Sequence, residues 1–568
     1  MTDCPGVRVT KVAAAVAALA RWVTLAKEVT AYFPVPGGVL TISDRTGILA
    51  EATFGVADAQ HTPMNEELRF ELGSISKAFT AWVVLQLVDE GLIHFDDPVG
   101  FYLPWAELGP LASEITIRRL LTHSSGTAVG ADAVPDDIAE IVNSARFVPV
   151  ASPVTFHYSN LGYQMLGEVV RAVSGTPLGE CVVRRILEPL AMTETLARVT
   201  YADWPTMATG HWPTRPDQPW LPGDPLSAAV WFELDSGSGN IVSTSRDLAR
   251  FSAAYLGAAL GEPVLDGQGQ PVMDRHTFDR ITGTLAEGGE PCHVPPGAPP
   301  VTSSRYGLGV NVETVGDATC VTHGGGMVGY STFWLVDVEH DVALSTLTNA
   351  NGDAHVSQLL TRAGHGEMLR QLHGEDAGQM ASLNPLVVGG EEWCNGTFYS
   401  DHDGAELVVR QGGAGEAVRV EYRGRVGDLF HLSTGRWATN HPDLRRFHLD
   451  PVVGDARAWT WGPVTFATTP PLERVVPNTN PLVGHYRSYS PWYPEFRIIE
   501  RADHLLLCAP GGTESPIDEL ELREVAPCEW SLGDDESAPE RLVTGPIIGG
   551  EVVSLNRGGC AYSRVFSP

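Results

Sequence analysis

The feature that most restricts the fold of this chain is a change of pattern near residue 384. Before it, amphipathic helical stretches lie between runs of strand-forming residues. After it, helical patterns disappear, and short β-type runs alternate with Gly, Asp, Asn and Pro turns. A region with strands at both ends and helices between them fits an α+β core whose sheet is assembled from distant segments. We therefore predict an α+β domain over 1–378, followed by separate β domains.

An internal repeat divides the β-rich region. NPLV occurs at Asn384–Val387 and again at Asn480–Val483, and each copy precedes a similar strand start, GTFYS and GHYRS. A chance match of four residues is the alternative, but the matching strand starts favour a duplication. The repeat predicts two small β-barrel or sandwich domains, at 384–475 and 480–568.

The composition excludes several classes of partner. The formal net charge is −31, whereas binding to nucleic acid or anionic lipid requires a basic surface. No apolar run reaches the 18 or so residues that a membrane-spanning helix needs. We therefore expect no nucleic-acid partner and no membrane insertion.

The cysteines indicate neither a disulfide scaffold nor a metal site. Eight are scattered through the chain, with no C-x-x-C pair and no other metal-type spacing. Their density is low, so we expect reduced and mostly buried thiols.

The N-terminal segment allows two interpretations. VAAAVAALARW at 12–22 follows Arg8 and Lys11 and has the appearance of a short secretory signal. The alanine-rich pattern, however, continues through TLAKEVTAYF, which favours one helix of about 20 residues that leads into the strand GGVLTIS. We predict a helix and a cytoplasmic protein, with a secreted protein as the alternative.

A serine and a lysine stand one helical turn apart in ELGSISKAFT, where Ser74 and Lys77 precede an apolar, buried-type helix that ends near Gly91. The chain has only three lysines. A serine hydroxyl needs a base, and a lysine in an apolar site can have its pKa lowered enough to serve. Backbone N–H groups at the helix start can stabilise an oxyanion. The structural alternative is an N-cap serine beside a solvated lysine.

A second element is FHYSNLGYQ, just before a predicted helix over 160–175. Tyr158 beside a cationic lysine can act as base and acid, and Asn160 can hydrogen-bond a substrate amide. The structural alternative is a tyrosine that anchors the helix start, with Asn160 as the N-cap.

A third element is the glycine-rich strand end in VTHGGGMVGYSTFWLV at 321–336. Its glycines allow a substrate backbone to approach the strand closely, and His323 can line the pocket as a donor or proton partner. The structural alternative is a glycine-rich turn with a surface histidine.

Together, S-x-x-K at Ser74–Lys77, Y-x-N at Tyr158–Asn160 and H-x-G at His323–Gly325 resemble the serine β-lactamase and penicillin-binding-protein superfamily, in particular its class C β-lactamase-like branch. That branch includes D,D-carboxypeptidases, D-aminopeptidases and esterases. FELGSISKAFTA, ITIRRLLTHSSG and STSRDLARF also look like family segments. The resemblance implies a β-lactamase/transpeptidase-like α+β fold, with an antiparallel sheet flanked by helices. The two β domains are similar to the C-terminal barrels of D-aminopeptidases.

The resemblance also implies roles for individual residues. Ser74 would be the acylated nucleophile. Lys77 and Tyr158 would activate it and later protonate the leaving group, and Asn160 would orient the substrate.

The glycine-rich strand departs from the family pattern. His323 stands where the lysine of the K-T-G motif usually lies, and Gly325 closes that motif. The backbone N–H groups of Ser74 and Gly326 would form the oxyanion hole. Because the histidine removes a fixed cation for a β-lactam carboxylate, efficient β-lactam hydrolysis is not expected. His123 is interpreted as structural.

The leading hypothesis is a serine hydrolase that forms an acyl-enzyme on Ser74. Its substrate would be a small peptide or amide, preferably with a D-amino acid, or an ester, and the resemblance implies no cofactor. A transacylase or peptide cyclase of specialised metabolism would use the same residues. A catalytically inactive binding or sensing protein is the third hypothesis, against which the complete Ser74, Lys77 and Tyr158 set argues. A homodimer is also kept as an expectation.

Overall fold

The structure is a computed structural model. It describes residues 5–130, 142, 156–229, 236–350, 355–374, 383, 395–410, 418–432, 436–452, 455–471, 480–489, 493–509, 519–533 and 539–565.

A seven-stranded antiparallel sheet forms the centre of the first region. The strands of this region are β1 (Gly37–Asp44), β2 (Gly47–Gly55), β3 (Phe70–Glu71), β4 (His211–Pro213), β5 (Leu226–Ala228), β6 (Val242–Ser243), β7 (Val301–Tyr306), β8 (Asn311–Val315), β9 (Ala318–Met327), β10 (Tyr330–Asp337) and β11 (Val342–Thr348). The sheet has the order β2-β1-β11-β10-β9-β8-β7. The N-terminal hairpin thus pairs with a strand about 300 residues later, as the α+β prediction requires.

Helices cover both faces of this sheet. They are α1 (Pro5–Tyr32), α2 (Ser76–Asp89), α3 (Val99–Tyr102), α4 (Ile117–Leu121), α5 (Asn160–Ser174), α6 (Leu178–Val182), α7 (Ser245–Leu260), α8 (Arg275–Gly283) and α9 (His355–His373), with 3₁₀ turns at Gly73–Ile75, Gly109–Glu114 and Tyr201–Thr206 and a π turn at Val183–Leu187. Among the residues described, no helix combines the length and the apolar character needed to cross a membrane.

The outer face of the sheet is covered by α1 and α9, which pack against each other. Trp22 of α1 is fully buried. A Cβ atom on Gly364 of α9 would lie 2.5 Å from the Trp22 ring, so the glycine lets the two helices approach closely. The alanine-rich segment is therefore a helix of the fold, as predicted, and it begins earlier than the pattern indicated.

The inner face carries α2 and α7. The ring of Phe79 stacks on the ring of Phe251 with centroids 3.9 Å apart, and both side chains are fully buried. An α2 sequence that is apolar on most sides predicts this burial, because a helix with no polar face needs contacts all round.

Two β domains follow. The first contains β12 (Gly396–Ser400), β13 (Glu406–Arg410), β14 (Val418–Tyr422), β15 (Arg425–His431), β16 (Trp437–Thr439), β17 (Leu449–Val452), β18 (Asp455–Trp461) and β19 (Val464–Ala467), in an eight-stranded sheet of order β16-β15-β14-β13-β12-β19-β18-β17. The second contains β20 (Gly484–Arg487), β21 (Glu495–Arg501), β22 (His504–Cys508), β23 (Glu519–Ala526), β24 (Glu529–Leu532), β25 (Arg541–Thr544), β26 (Ile547–Ile548), β27 (Glu551–Val552), β28 (Ser554–Arg557) and β29 (Cys560–Arg564). Its eight main strands close into a barrel, with β26 and β27 as a separate hairpin.

The repeat motif marks the start of these domains. GTFYS and GHYRS both begin the first strand of their sheet, β12 and β20. The first NPLV copy, Asn384–Val387, lies outside the described residues.

Ion pairs join both β domains to the loop between β4 and β5. Arg445 of the first β domain pairs with Asp224, and Arg497 of the second pairs with Asp217 at 3.2 Å. The same loop thus contacts both C-terminal domains.

The segment YGLGVNVET has the pattern of one continuous strand, but the structure divides it in two. Strand β7 ends at Tyr306 and β8 begins at Asn311, with Gly307 N–H donating to Val310 O (2.7 Å) between them. Gly309 has a positive φ of 78°, and a Cβ atom there would lie 2.7 Å from Lys77 O. The glycines therefore form a turn against α2, which a β-type pattern alone does not reveal.

The thiols agree with the prediction within the described residues. Cys181, Cys320, Cys508 and Cys560 are buried, Cys292 is partly buried and Cys528 is exposed. Cys4 and Cys394 lie outside the described residues.

A buried carboxyl group gives a testable pH dependence. Glu71 lies in β3, and burial raises its pKa from 4.5 to about 8. Because the folded chain holds this proton to higher pH than the unfolded chain, the free energy of unfolding should fall as the pH rises from 4.5 to 8. We expect Glu71→Gln to remove this component. Denaturant unfolding at both ends of that range should show a smaller loss of stability in the variant than in the wild type. Equal losses in the two proteins would contradict the burial effect.

Candidate active site

Ser74 lies in a tight turn between β3 and α2. The 3₁₀ turn Gly73–Ile75 places it just before the first helical residue, Ser76. Gly73 has a positive φ of 54°, and a Cβ atom there would lie 2.7 Å from Gly326 N. From Phe70 to Leu85, Ser74 is the one residue that is not buried. The turn therefore exposes this hydroxyl while its neighbours anchor it in the core.

Lys77 is fully buried beside that hydroxyl. Its Nζ lies 2.9 Å from Ser74 Oγ, 2.7 Å from Asn160 Oδ1 and 2.9 Å from Ser238 O. The carbonyl and amide oxygens can only accept hydrogen bonds. A neutral amine would therefore donate its two N–H groups to Asn160 and Ser238 and direct its lone pair at the Ser74 hydroxyl. This geometry allows Lys77 to remove the hydroxyl proton.

Tyr158 and Asn160 reach the site from the start of α5. Lys77 Nζ lies 4.8 Å from the centroid of the Tyr158 ring. The N-cap of α5 is Ser159, whose side chain accepts from Gly162 N (3.0 Å). The alternative in which Asn160 is the N-cap is therefore wrong. The Asn160 side chain instead accepts a hydrogen bond from Lys77.

His323 lies on β9 and is fully buried. Its Nδ1 is 2.6 Å from Gly324 O, and its Nε2 is 2.8 Å from the Tyr306 hydroxyl. Since a carbonyl only accepts, Nδ1 carries the proton and Nε2 accepts from Tyr306. Burial, followed by the charge of Lys77, lowers the pKa of His323 to about 3. The imidazole is therefore neutral at physiological pH. It is buried in contact with Tyr306 and does not lie at the surface. A catalytic role for His323 stays a prediction.

The glycines of β9 closely contact the turn that carries Ser74. A Cβ atom on Gly325 would lie 1.9 Å from Leu72 O, so only glycine fits there. The backbone of Gly326 lies against Gly73, next to Ser74. The main chain of Gly326 thus lies close to the turn that carries Ser74. The oxyanion hole formed by the N–H groups of Gly326 and Ser74 stays a prediction.

Aromatic rings surround Tyr158. The His123 ring lies 4.3 Å from the Tyr158 ring and 4.5 Å from that of Tyr306, measured between centroids. His123 Nδ1 accepts from Ser159 N–H (3.0 Å). Burial, followed by the charge of Lys77, places the pKa of His123 well below its usual value. His123 thus packs and orients the segment that carries Tyr158, as its structural interpretation predicts.

An acidic side chain lies within electrostatic range of Lys77. Glu290 belongs to the Gly/Pro-rich stretch 287–300, and its backbone N–H donates to Asn311 Oδ1 (3.3 Å). Burial raises the pKa of the Glu290 carboxyl to about 7, while the charge of Lys77 acts to lower it. The glycines and prolines of this stretch indicate a surface loop. It has no helix or strand, but at Glu290 it runs towards the site.

The second β domain also contributes to the site. Glu540, directly before β25, lies 2.8 Å from His157 Nε2 and accepts from Val129 N–H (2.9 Å). Val129 O in turn accepts from Asn160 N–H (2.9 Å). Burial raises the pKa of the Glu540 carboxyl, but the contacts with His157 and Val129 outweigh it and hold the pKa below its usual value. One carboxylate from the barrel thus binds both segments that support Tyr158 and Asn160.

We expect Glu540→Ala to lower kcat/KM about tenfold, the equivalent of roughly 1.4 kcal/mol, because the loops that hold Tyr158 and Asn160 lose a shared partner. Glu540→Gln keeps an acceptor oxygen and should retain most of the activity. Glu551→Ala, which removes a half-exposed acid paired with Arg564 in the same domain, is the matched control. Steady-state kinetics on one small ester would measure all three, and full activity in Glu540→Ala would contradict the role.

The fold and this serine–lysine–tyrosine arrangement define a protein of the serine β-lactamase and penicillin-binding class. The chain belongs to the Beta-lactamase family, whose sequence profile matches residues 25–365.

Individual relatives share part of the chain. It is 30% identical over 220 residues to the putative penicillin-binding protein PbpX of Bacillus subtilis, covering 38% of this chain and 53% of that protein. It is 26% identical over 322 residues to the unguisins hydrolase ungD' of Aspergillus campestris, covering 52% of this chain and 55% of that protein. The chain thus spans about half the length of these curated relatives.

A solved structure extends the likeness beyond the first domain. The octameric penicillin-binding protein homologue from Pyrococcus abyssi superposes with a TM-score of 0.51 at 19% identity, covering 83% of this chain and 94% of that chain. At this identity, the match shows a shared fold.

Proposed function

We propose that the protein is a serine hydrolase that forms an acyl-enzyme on Ser74. The observation that carries the proposal is the contact of buried Lys77 Nζ with Ser74 Oγ at 2.9 Å. Ser74 attacks the carbonyl carbon of an amide or ester while its proton passes to Lys77 and Tyr158. The leaving amine or alcohol takes up that proton as the acyl bond to Ser74 forms. Water then attacks the acyl group and releases the acid.

The charges around the site favour a substrate without a carboxylate near the scissile bond. The neutral His323 offers no fixed positive charge for such a group. Glu290 instead offers an acceptor for the ammonium group of an aminoacyl substrate. With the family resemblance, this supports small D-aminoacyl amides, D-amino-acid peptides and esters as substrates, and poor hydrolysis of β-lactams.

A substrate panel tests this proposal. We expect turnover of a D-alanyl p-nitroanilide and of a p-nitrophenyl ester, slower turnover of the L-anilide, and slower turnover still of a chromogenic cephalosporin. Adding an amine acceptor and analysing the products distinguishes hydrolysis from acyl transfer. No turnover across the panel, together with no covalent modification by a fluorophosphonate, would overturn the proposal in favour of a binding protein.

Tyr158→Phe should lower kcat about 10²–10⁴-fold, as the loss of a positioned acid–base group does. Tyr163→Phe, on the helix that directly follows Tyr158, is the matched control. Its hydroxyl donates to Leu121 O (2.7 Å), and Lys77 Nζ lies 5.7 Å from its ring centroid. We expect this second variant to lose stability but to keep kcat within a small factor of the wild type. Equal losses of kcat in the two variants would contradict an acid–base role specific to Tyr158.

A further inference from the structure

A second polar cluster lies on the outer face of the central sheet. Within the described residues, Cys320, Asp337 and His365 bring a sulfur, a carboxylate oxygen and a ring nitrogen within 4.8 Å of one another. All three residues are buried. Cys320 and Asp337 are register partners on β9 and β10, so their side chains project from the same face. His365 approaches that face from α9.

This cluster is separate from the candidate active site. Cys320 and His323 lie three residues apart on β9, and alternate residues of a strand point to opposite faces. His323 points to the inner face, with Tyr306 and Lys77, whereas Cys320 points towards α1 and α9. The reaction proposed for Ser74 uses none of the three groups.

The recorded side-chain partners of Asp337 are two histidines, not an arginine or a lysine. The neighbouring buried carboxylate on this face, Glu313, pairs with Arg362 at 2.8 Å. The Asp337 carboxylate instead meets His365 Nε2 and His340 Nδ1, both at 2.8 Å from Oδ2. A buried carboxylate, a thiol and one imidazole thus lie close together, with the second imidazole, His340, in contact with the carboxylate. All of these are side chains that zinc accepts as ligands.

We propose that Cys320, Asp337, His340 and His365 bind a zinc ion. The donor atoms of a tetrahedral zinc site lie about 3.3–3.8 Å apart. Those of Cys320, Asp337 and His365 already lie within 4.8 Å of one another, and a turn of the His340 ring away from Asp337 would supply the fourth donor. Zinc would bind Cys320 as the thiolate, and the thiol proton would pass to solvent. With all four ligands from protein, the ion would be structural and would join β9 and β10 to α9.

The surface beside the cluster offers a route for the ion. His340 retains 27% of its side-chain exposure. It also lines a groove of about 630 Å³ together with Glu339, Arg370 and His373. Of the four proposed ligands, only His340 lines this groove, so the ion would enter and leave past its ring.

Cobalt(II) spectroscopy on the full-length, chelator-treated protein tests the site. One equivalent of Co²⁺ should produce the visible bands of a tetrahedral site and a thiolate-to-cobalt charge-transfer band, and zinc should displace both. Cys320→Ser should abolish the charge-transfer band, and His365→Asn should weaken binding at least tenfold. Cys181→Ser, which removes a buried thiol elsewhere in the same region, should behave as the wild type.

The Co²⁺ spectrum of the wild-type protein tests the metal site even if a variant fails to fold. The absence of tetrahedral bands, or a spectrum unchanged by Cys320→Ser, would overturn the proposal and leave a hydrogen-bonded Asp–His network or surface histidines. Ester turnover should be the same with and without zinc. Failure of the metal site would therefore leave the function proposed for Ser74 untouched, and failure of that function would leave the metal site untouched.

Discussion

Ser74→Ala is expected to abolish turnover of every substrate that the protein accepts, with kcat falling about 10⁴–10⁶-fold, as removal of a catalytic serine does in other acyl-transfer enzymes. The reason is local. Ser74 is the one accessible side chain in the Phe70–Leu85 segment, and Lys77 Nζ lies 2.9 Å from its hydroxyl. Without the hydroxyl, the amine has no nucleophile to activate. Steady-state kinetics with the preferred chromogenic substrate would measure the loss.

Ser76→Ala is the matched control for this variant. Ser76 lies two residues away, is fully buried, and accepts a hydrogen bond from Ile241 N–H (2.9 Å). Its loss should cost about 1 kcal/mol of stability but leave kcat close to the wild-type value. Comparable losses of activity in the two variants would show that the turn is sensitive to any change. Residual activity in Ser74→Ala near the wild-type level would remove Ser74 from the mechanism.

Lys77→Met should lower kcat about 10²–10⁴-fold, the contribution of a positioned general base. Methionine has a similar length and fills the buried space, but it cannot accept the Ser74 proton. The thermal midpoint should stay the same or rise. Two acceptors, Asn160 Oδ1 and Ser238 O, lose their donor, but the fold no longer has to desolvate a buried amine. Kinetics and thermal unfolding of the same preparation would measure both effects.

Lys11→Met separates these effects from the general loss of a lysine. Lys11 Nζ pairs with Asp341 at 2.9 Å and lies 3.9 Å from Asp44. These two acids lie where β1 ends and in the turn between β10 and β11. We expect this variant to lose stability and to keep its activity, the reverse of Lys77→Met. If Lys77→Met retained activity, a different group would have to take the Ser74 proton.

The parts of the site that sequence reasoning could reach are those encoded by local pattern. The spacing of Ser74 and Lys77 places both side chains on one face of a helical turn, and the apolar run after them predicts the burial that makes the lysine useful. A short motif before an amphipathic helix marks Tyr158 and Asn160 as candidates. Their meeting with Lys77 depends on tertiary packing, and only the family resemblance indicated it in advance.

Other residues at the site carry no local signal. Glu540 lies 383 residues after His157, and nothing in its own segment marks it as a neighbour of the Tyr158 loop. Glu290 stands in a stretch whose glycines and prolines predict a loop but not its inward course. Strand β7 ends at Tyr306, whereas the β-type sequence pattern continues beyond it without a break.

The same limit applies to the sheets and the proposed metal site. The β-type pattern and the repeat predict two β domains, but strand order and barrel closure depend on pairings between distant strands. Cys320 and Asp337 are joined by strand register and His365 by helix packing, so the spacing of the cysteines gave no indication of a site.

Mapping of the acylated residue tests the central claim most directly. The protein would be mixed with a D-alanyl ester, quenched in acid during turnover, digested and examined by mass spectrometry. We predict that the acyl group is found on the peptide that contains Ser74, and that Ser74→Ala carries no acyl group. An acyl group on another residue, or turnover that continues in Ser74→Ala, would contradict the account.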